Sequence, residues 1–238
     1  MGKAARWVLE YLPFPSDILE VAVEDLAKCL QRASSNRVGL KRARALHSAA
    51  KQSIGLTTGL TGARKRLGVC LQELRFYAGQ LEASEVQLAE ALAATGLAEA
   101  LLSVPGIGVI TAAGFLAEVG DVAQYRHSRQ IQKLAGLNLT EQSSGEKRGR
   151  RTISKRGRPG LRRVLYQMAL ALIGHNAEFR ALYQHLRTRS RNPLAGTPAL
   201  VALMCKAIRI LFYLAKNQER YDGSKVWSPA GVEPKQAA

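Results

Sequence analysis

LLSVPGIGVITAAGFLAEVGDVAQYRHSRQIQKLAGLNLTEQSSGEKRGRRTISKRGRPGLRR, residues 101–163, is the stretch around which the chain is organised. It opens on an apolar turn, Val104-Pro105-Gly106-Ile107-Gly108, between helical segments at 98–103 and 111–119. Pro105 has no backbone donor, and Gly106 and Gly108 tolerate positive φ. Helix, Pro-Gly-x-Gly turn, helix is the pattern of a helix-hairpin-helix. Such a turn aims backbone N–H groups outward at the start of the second helix, a seat for a phosphate that reads no base. The bland alternative is a helix–helix corner that binds nothing. A dinucleotide-binding reading of Gly106-x-Gly108 fails, because no strand precedes it and Thr111 stands where the third glycine belongs.

The stretch ends in a dense basic run. Between Lys147 and Arg163 lie Lys147, Arg148, Arg150, Arg151, Lys155, Arg156, Arg158, Arg162 and Arg163, nine cations in seventeen residues with no acid among them. Like charges this close repel until a polyanion neutralises them, and the excess of arginine suits forked contact with phosphates. Nucleic acid is the expected partner, against the alternative of a solvated surface loop. The whole chain agrees. It has 35 basic and 18 acidic residues, a formal charge of +17 over 238 residues. A balance this basic points to nucleic acid or an anionic membrane surface. No run of about twenty apolar residues stands out, so no membrane span is expected. The start of the chain shows neither a signal peptide nor a myristoylation pattern, since Arg6 stands where Ser or Thr is needed.

Outward from the centre, helices dominate. Residues 1–15 read as a remnant of something that continues upstream. A capped helix follows, starting at Ser16 or Asp17 with Glu20 in capping-box position. Its stripe of Leu19, Val23, Leu26, Leu30, Ala33 and Leu40, interrupted by Arg37, predicts a helix running on to about Ser53. After a loop with Gly55, Gly59 and Gly62, a second long helix has Leu67, Leu71, Leu74, Ala78, Leu81, Leu88 and Leu92 at heptad spacing, with Glu85 the polar break. Together they predict an antiparallel coiled-coil hairpin over 16–96, and a homodimer or higher oligomer through it. Residues 97–222 are read as a compact helical domain. It has short elements around Ser128–Leu134 and helices near 161–173, 177–189 and 198–216, the last nearly buried. Arg151 to Ser154 is the one short strand expected. Residues 223–238 read as a disordered tail. The fold class is all-α.

The cysteines, Cys29, Cys70 and Cys205, are odd in number and far apart, and read as small apolar core residues in a reducing cytoplasm. The four histidines show no ligand spacing. No metal site is expected in this chain, and Asn138-Leu139-Thr140 is a glycosylation acceptor without a secretory context.

Several pieces in order carry a resemblance. Pro105 to Gly108 is followed by Thr111-Ala112, Gly120-Asp121, Lys133 to Leu137, Gln142-Ser143-Ser144-Gly145, then Ile153-Ser154-Lys155-x-Gly157-x-x-x-Leu161-Arg162, and Tyr221-Asp222. Over residues 18–222 the chain resembles the C-terminal half of insertion-sequence transposases of the IS-one-ten type, the bridge-RNA-guided recombinases. The resemblance implies a DNA-binding transposase or site-specific recombinase fragment, cytoplasmic and nucleoid-associated. It implies strand exchange through a serine nucleophile, Ser144, with Ser143 as runner-up, DNA as partner and a guide RNA as a further one. Relatives also carry an N-terminal nuclease-like domain with Asp-Glu-Asp-Asp acids. Mg2+ is expected only there, and this chain starts near where that domain should end. Arg158 departs from the family's common Asn. A non-catalytic DNA- or RNA-binding module, or a regulator, is the alternative.

Overall fold

The computed structural model describes residues 1–56, 58–141 and 151–226. Eleven α-helices and one two-stranded sheet lie among them, so the protein is mainly all-α. The chain forms two compact units, Met1–Glu82 and Ala83–Ala238.

In the first unit α1 (Lys3–Tyr11), α2 (Pro15–Leu19), α3 (Val23–Ala33) and α4 (Leu40–Gln52) close around Ile18, Leu26, Ala27, Leu30, Ala43 and Ala50. The residues expected to be a remnant are an ordered helix, with Trp7 and Val8 packed on that core and Trp7 stacked on Tyr11. The α2 helix is capped at Phe14, two or three residues before the expected Ser16 or Asp17. Asp17 lies inside it and accepts a hydrogen bond from Phe14 N at 3.1 Å.

The single helix expected from Ser16 or Asp17 to about Ser53 is three helices, α2, α3 and α4, with α4 folded back on α3. The break between α3 and α4 falls at Ser34-Ser35-Asn36. Ser34 Oγ donates to Leu30 O at 2.7 Å and accepts from Val38 N at 2.9 Å, while Ser35 and Asn36 take φ of 54° and 63°. Serine and asparagine side chains compete with the helix for backbone partners, and asparagine tolerates the left-handed region. That local chemistry overrides the apolar stripe, which leaves Leu19 and Leu40 exposed.

The α5 helix (Leu60–Ala94) is the long second helix that the heptads predict. Inside the first unit Arg64 holds both carboxylate oxygens of Asp17 at 2.9 Å and lies over the Phe14 ring, and Arg75 pairs with Glu10. Leu71 is buried. From residue 72 to 87 every side chain is exposed, the heptad positions Leu74, Ala78 and Leu81 included.

The second unit is built on α11 (Gly196–Asn217). It packs on α9 (Pro159–His175), α10 (Ala177–Thr188), α8 (Ser128–Leu134) and α6 (Ala98–Leu102). Leu203, Ala207, Ile208 and Leu211 bury completely or nearly so, against Leu161, Leu165, Met168, Leu172 and Phe179. By length and composition α11 is apolar enough to cross a membrane, against the expectation that no run of about twenty apolar residues stands out. Its buried half is the core of this unit. Cys29 and Cys205 are half-buried, but Cys70 is exposed on α5, against expectation. Residues 223–225 form a 3-10 turn and Val226 is buried beneath α10 and α11, so the tail expected to be disordered begins as ordered structure.

Candidate nucleic-acid interface

Two places in the second unit answer to the central stretch. The first is the turn between α6 and α7 (Val109–Val119). Val104 and Ile107 are buried and pin it from below. Gly106 has φ of 95°, and a Cβ there would stand 3.0 Å from Ala171 O, so this glycine lets the turn rest directly on α9. Gly108 is different. It is exposed and a Cβ would meet nothing within 4 Å. Thr111 Oγ1 accepts from Gly108 N at 3.1 Å and donates to Gly108 O at 2.9 Å, capping α7 from its own first turn. The amides of Val109, Ile110 and Thr111 find no protein acceptor among the described residues. Unpaired amides at a helix start are the donors a phosphate uses. Of the four turn residues named from sequence, Pro105 and Gly108 are surface, Gly106 is half-buried and Ile107 is core.

The second place is a hairpin. β1 (Leu139–Glu141) pairs antiparallel with β2 (Arg151–Ile153), Thr140 opposite Thr152. β2 was expected from sequence; β1 was not, because Leu139-Thr140-Glu141 is too short to show a period. The connection between the strands, with Ser143, Ser144, Lys147, Arg148 and Arg150, lies outside the described residues.

Below the hairpin the chain crosses itself. Gly136 stops α8 with φ of 66°, and a Cβ there would lie 2.9 Å from Lys155 C. A Cβ on Gly157 would overlap Leu134 O and stand 2.6 Å from Gly136 N. Only two glycines let these backbones approach so closely. Ladder-like bonds join them: Ser154 N to Asn138 O at 2.8 Å, Lys155 N to Gly136 O at 3.0 Å, Arg158 N to Leu134 O at 2.8 Å. Ser154 Oγ donates to Asn138 Oδ1 at 2.7 Å. Arg162 closes the crossing, its Nη1 facing Ala135 O and Lys155 O at 3.1 Å and Gly157 O at 3.3 Å.

The basic run therefore splits by role. Arg162 is half-buried and occupied by three carbonyls, a staple where a phosphate contact was expected. Arg158 is exposed and donates to Glu118 O. Lys155, Arg156 and Arg163 are exposed and make no ion pair among the described residues. Arg126, Arg129 and Lys133 are further exposed cations on and beside α8 that the sequence reading passed over, because they are spread along a helix and its lead-in. The Tyr221-Asp222 pair is a clamp. Tyr221 N donates to Ser103 Oγ at 2.8 Å, its hydroxyl meets Asn176 Nδ2 at 2.9 Å, and Arg220 pairs with Glu99. Hydrogen bonds from Ser224 hold the Asp222 carboxyl below the usual carboxylate range.

Among the described residues no three His, Cys, Asp or Glu gather as metal ligands. Of the acids in the first helices, Asp17 is held by Arg64 and Asp25 by Lys28.

Residues 98–184 match the family model described as Transposase IS116/IS110/IS902 family. The chain is 34% identical over 167 residues to the transposase for insertion sequence element IS1111A of Coxiella burnetii, 68% of this chain and 45% of that protein. The insertion element IS110 uncharacterized 43.6 kDa protein of Streptomyces coelicolor is 32% identical over 154 residues, 65% of this chain and 36% of its own length. A probable family 20 transposase of Pseudomonas aeruginosa is 34% identical over 164 residues, 65% and 47%. The chain spans about half the length, or less, of the curated relatives it matches, in their C-terminal half.

Proposed function

Residues 98–184 belong to the IS116/IS110/IS902 transposase family, and from that premise we propose that this chain binds insertion-sequence DNA and carries the serine to which a cut strand is joined. The observation that supports it most is the β1–β2 hairpin. Its base is locked by the Gly136–Gly157 crossing and by Arg162, it is flanked by the free cations Lys155, Arg156 and Arg163, and in sequence its connection holds Ser144. A nucleophile needs a fixed mounting, because small errors of position cost large factors in rate.

The chemistry follows from the residue types. Ser144 Oγ attacks phosphorus in a DNA phosphodiester. The bond from phosphorus to one sugar oxygen breaks, the serine proton goes to a base of the assembled complex, and the leaving sugar oxygen is protonated. The energy of the phosphodiester is kept in the phosphoserine link, so rejoining to another strand needs no added energy source. Arginines at the hairpin stabilise charge on the phosphate, and serine needs activation to act at all. The amides at the start of α7 seat a backbone phosphate as a helix-hairpin-helix does. Exposed leucines on α5 pair two copies of the chain, and a guide RNA draws on the same cations as DNA. A role on DNA puts the protein at the nucleoid.

The test is a suicide DNA substrate incubated with the chain together with a full-length relative. A denaturing gel should show a covalent protein–DNA adduct that Ser144→Ala removes and Ser143→Ala keeps. An adduct surviving Ser144→Ala overturns the nucleophile. No adduct, with binding that weakens steeply with salt, leaves a binding module without chemistry.

A further inference from the structure

Beside the crossing lies an open groove of about 620 Å3, lined by Tyr125, Gln130, Lys133, Leu134 and the backbone turn Arg156-Gly157-Arg158-Pro159. Three cations border it from two separate elements: Lys133 on α8, Arg156 and Arg158 on the turn into α9. No acid lines it. Glu118, which accepts from Arg158 through its backbone, has its carboxylate against Gly160 instead. Between the cations the floor is not polar. It consists of Leu134, Pro159 and the half-buried Tyr125 ring, whose hydroxyl donates to Val119 O at 2.8 Å and so holds the ring in place. Gln130 Oε1 already accepts from Arg126 N at 2.7 Å and His127 N at 3.2 Å, which leaves the amide NH2 as a donor at the rim.

A surface for duplex phosphates needs cations and has no use for an apolar floor. Cations around a fixed aromatic and aliphatic floor suit a nucleotide whose base has left the stack: phosphate to the guanidinium and ammonium groups, base face to the ring. We infer that this groove takes one unstacked nucleotide of a single-stranded nucleic-acid segment. The inference rests on the nucleic-acid reading above and goes further, because it assigns Tyr125, Leu134 and Lys133 and separates unpaired strand from duplex.

The test is a titration of the full chain by fluorescence anisotropy. The ligands are a blunt DNA duplex, the same duplex with a short unpaired extension, and the extended duplex with RNA in the extension. Wild type should prefer an extended duplex by about tenfold, the scale of one stacked base. Lys133→Glu, at an exposed position, and Tyr125→Leu should each remove most of that preference while blunt-duplex binding falls much less. An iodo-substituted uracil in the extension should photo-crosslink to Tyr125, and the better of the DNA and RNA arms identifies the strand. Equal binding of blunt and extended duplexes, or a preference that survives both substitutions, overturns the groove and leaves nucleic-acid binding standing. Loss of binding to every ligand in the wild type would overturn the nucleic-acid reading itself.

Discussion

The crossing at residues 134–162 and the middle of α5 mislead the reader of sequence in opposite directions. In the first, a charged run looks like solvent-facing surface, yet Arg162 is turned onto three backbone carbonyls and Gly157 is wedged against α8. In the second, leucines at heptad spacing look like a buried seam, yet residues 72–87 are exposed throughout. Residue type states what a side chain requires. It does not state which group supplies it. A guanidinium is satisfied equally by phosphates or by carbonyls, and a leucine stripe by the same chain or by another copy.

The largest effect should come from Gly157→Ala. The new Cβ overlaps Leu134 O and stands 2.6 Å from Gly136 N, both backbone groups that cannot swing away. A loss of about 3 kcal/mol in urea unfolding of the second unit is expected, with duplex binding falling alongside. Gly108→Ala, with open space and an ordinary negative φ, should stay within about 0.5 kcal/mol. If the two alanines cost the same, the crossing is not the lock described.

Next comes Arg162→Ala, at about 2 kcal/mol, because three carbonyls lose a charged donor. Arg162→Lys should recover less than half, since an ammonium on a flexible stem does not reproduce the fork. Its neighbour Arg163 should behave conversely: Arg163→Ala leaves the unfolding curve unchanged and weakens duplex binding. Equal stability losses at both positions would erase the division of the basic run.

A smaller change is expected at Lys206, a half-buried cation on α11 with no carbonyl staple. Burial first, and Arg209 second, hold its amine below the ordinary lysine range. The unfolded chain therefore holds that proton to higher pH than the folded one does. The penalty on folding is full at neutral pH and is relieved as pH rises through the lowered value toward the ordinary lysine range. Lys206→Met should raise stability at neutral pH by less than ~1 kcal/mol, and the gap to wild type should close at alkaline pH. A gap that widens there would show the sign to be wrong.

Smallest for the monomer, within about 0.5 kcal/mol, is the paired change Leu74→Ser with Leu81→Ser, since both side chains are exposed. Sedimentation should instead show a fall in mass from the proposed α5-paired oligomer toward the monomer. An unchanged mass in solution would mean that the α5 stripe is not a seam between copies.

Much of the fold was legible in residues alone. The helices α5 to α11 fall close to where period and punctuation put them, because an apolar stripe, broken in α5 at Glu85, is ended by glycine, proline or a polar pair. The break after Ala33 was missed: the stripe is interrupted at Arg37 but resumes in register at Leu40, and only the Ser34 bonds to Leu30 and Val38 show the turn winning. The candidate site was half legible. The turn at 104–108 and the cations were visible. Tyr125 and Lys133 were not, since nothing in a tyrosine before a short helix says that a loop thirty residues on will form the other wall of its groove.

By itself, the order of residues determined that the chain is helical and strongly basic, that glycine and proline shape the turn at 104–108, and that a serine lies among arginines. These are local and additive properties, set by backbone freedom, periodicity and charge. Tertiary structure alone decided which arginine is a staple and which is free, which glycine is a hinge on α9 and which is open surface, and where cations meet an apolar floor. Those outcomes depend on partners far apart along the chain, and only the folded backbone brings them within a few ångströms.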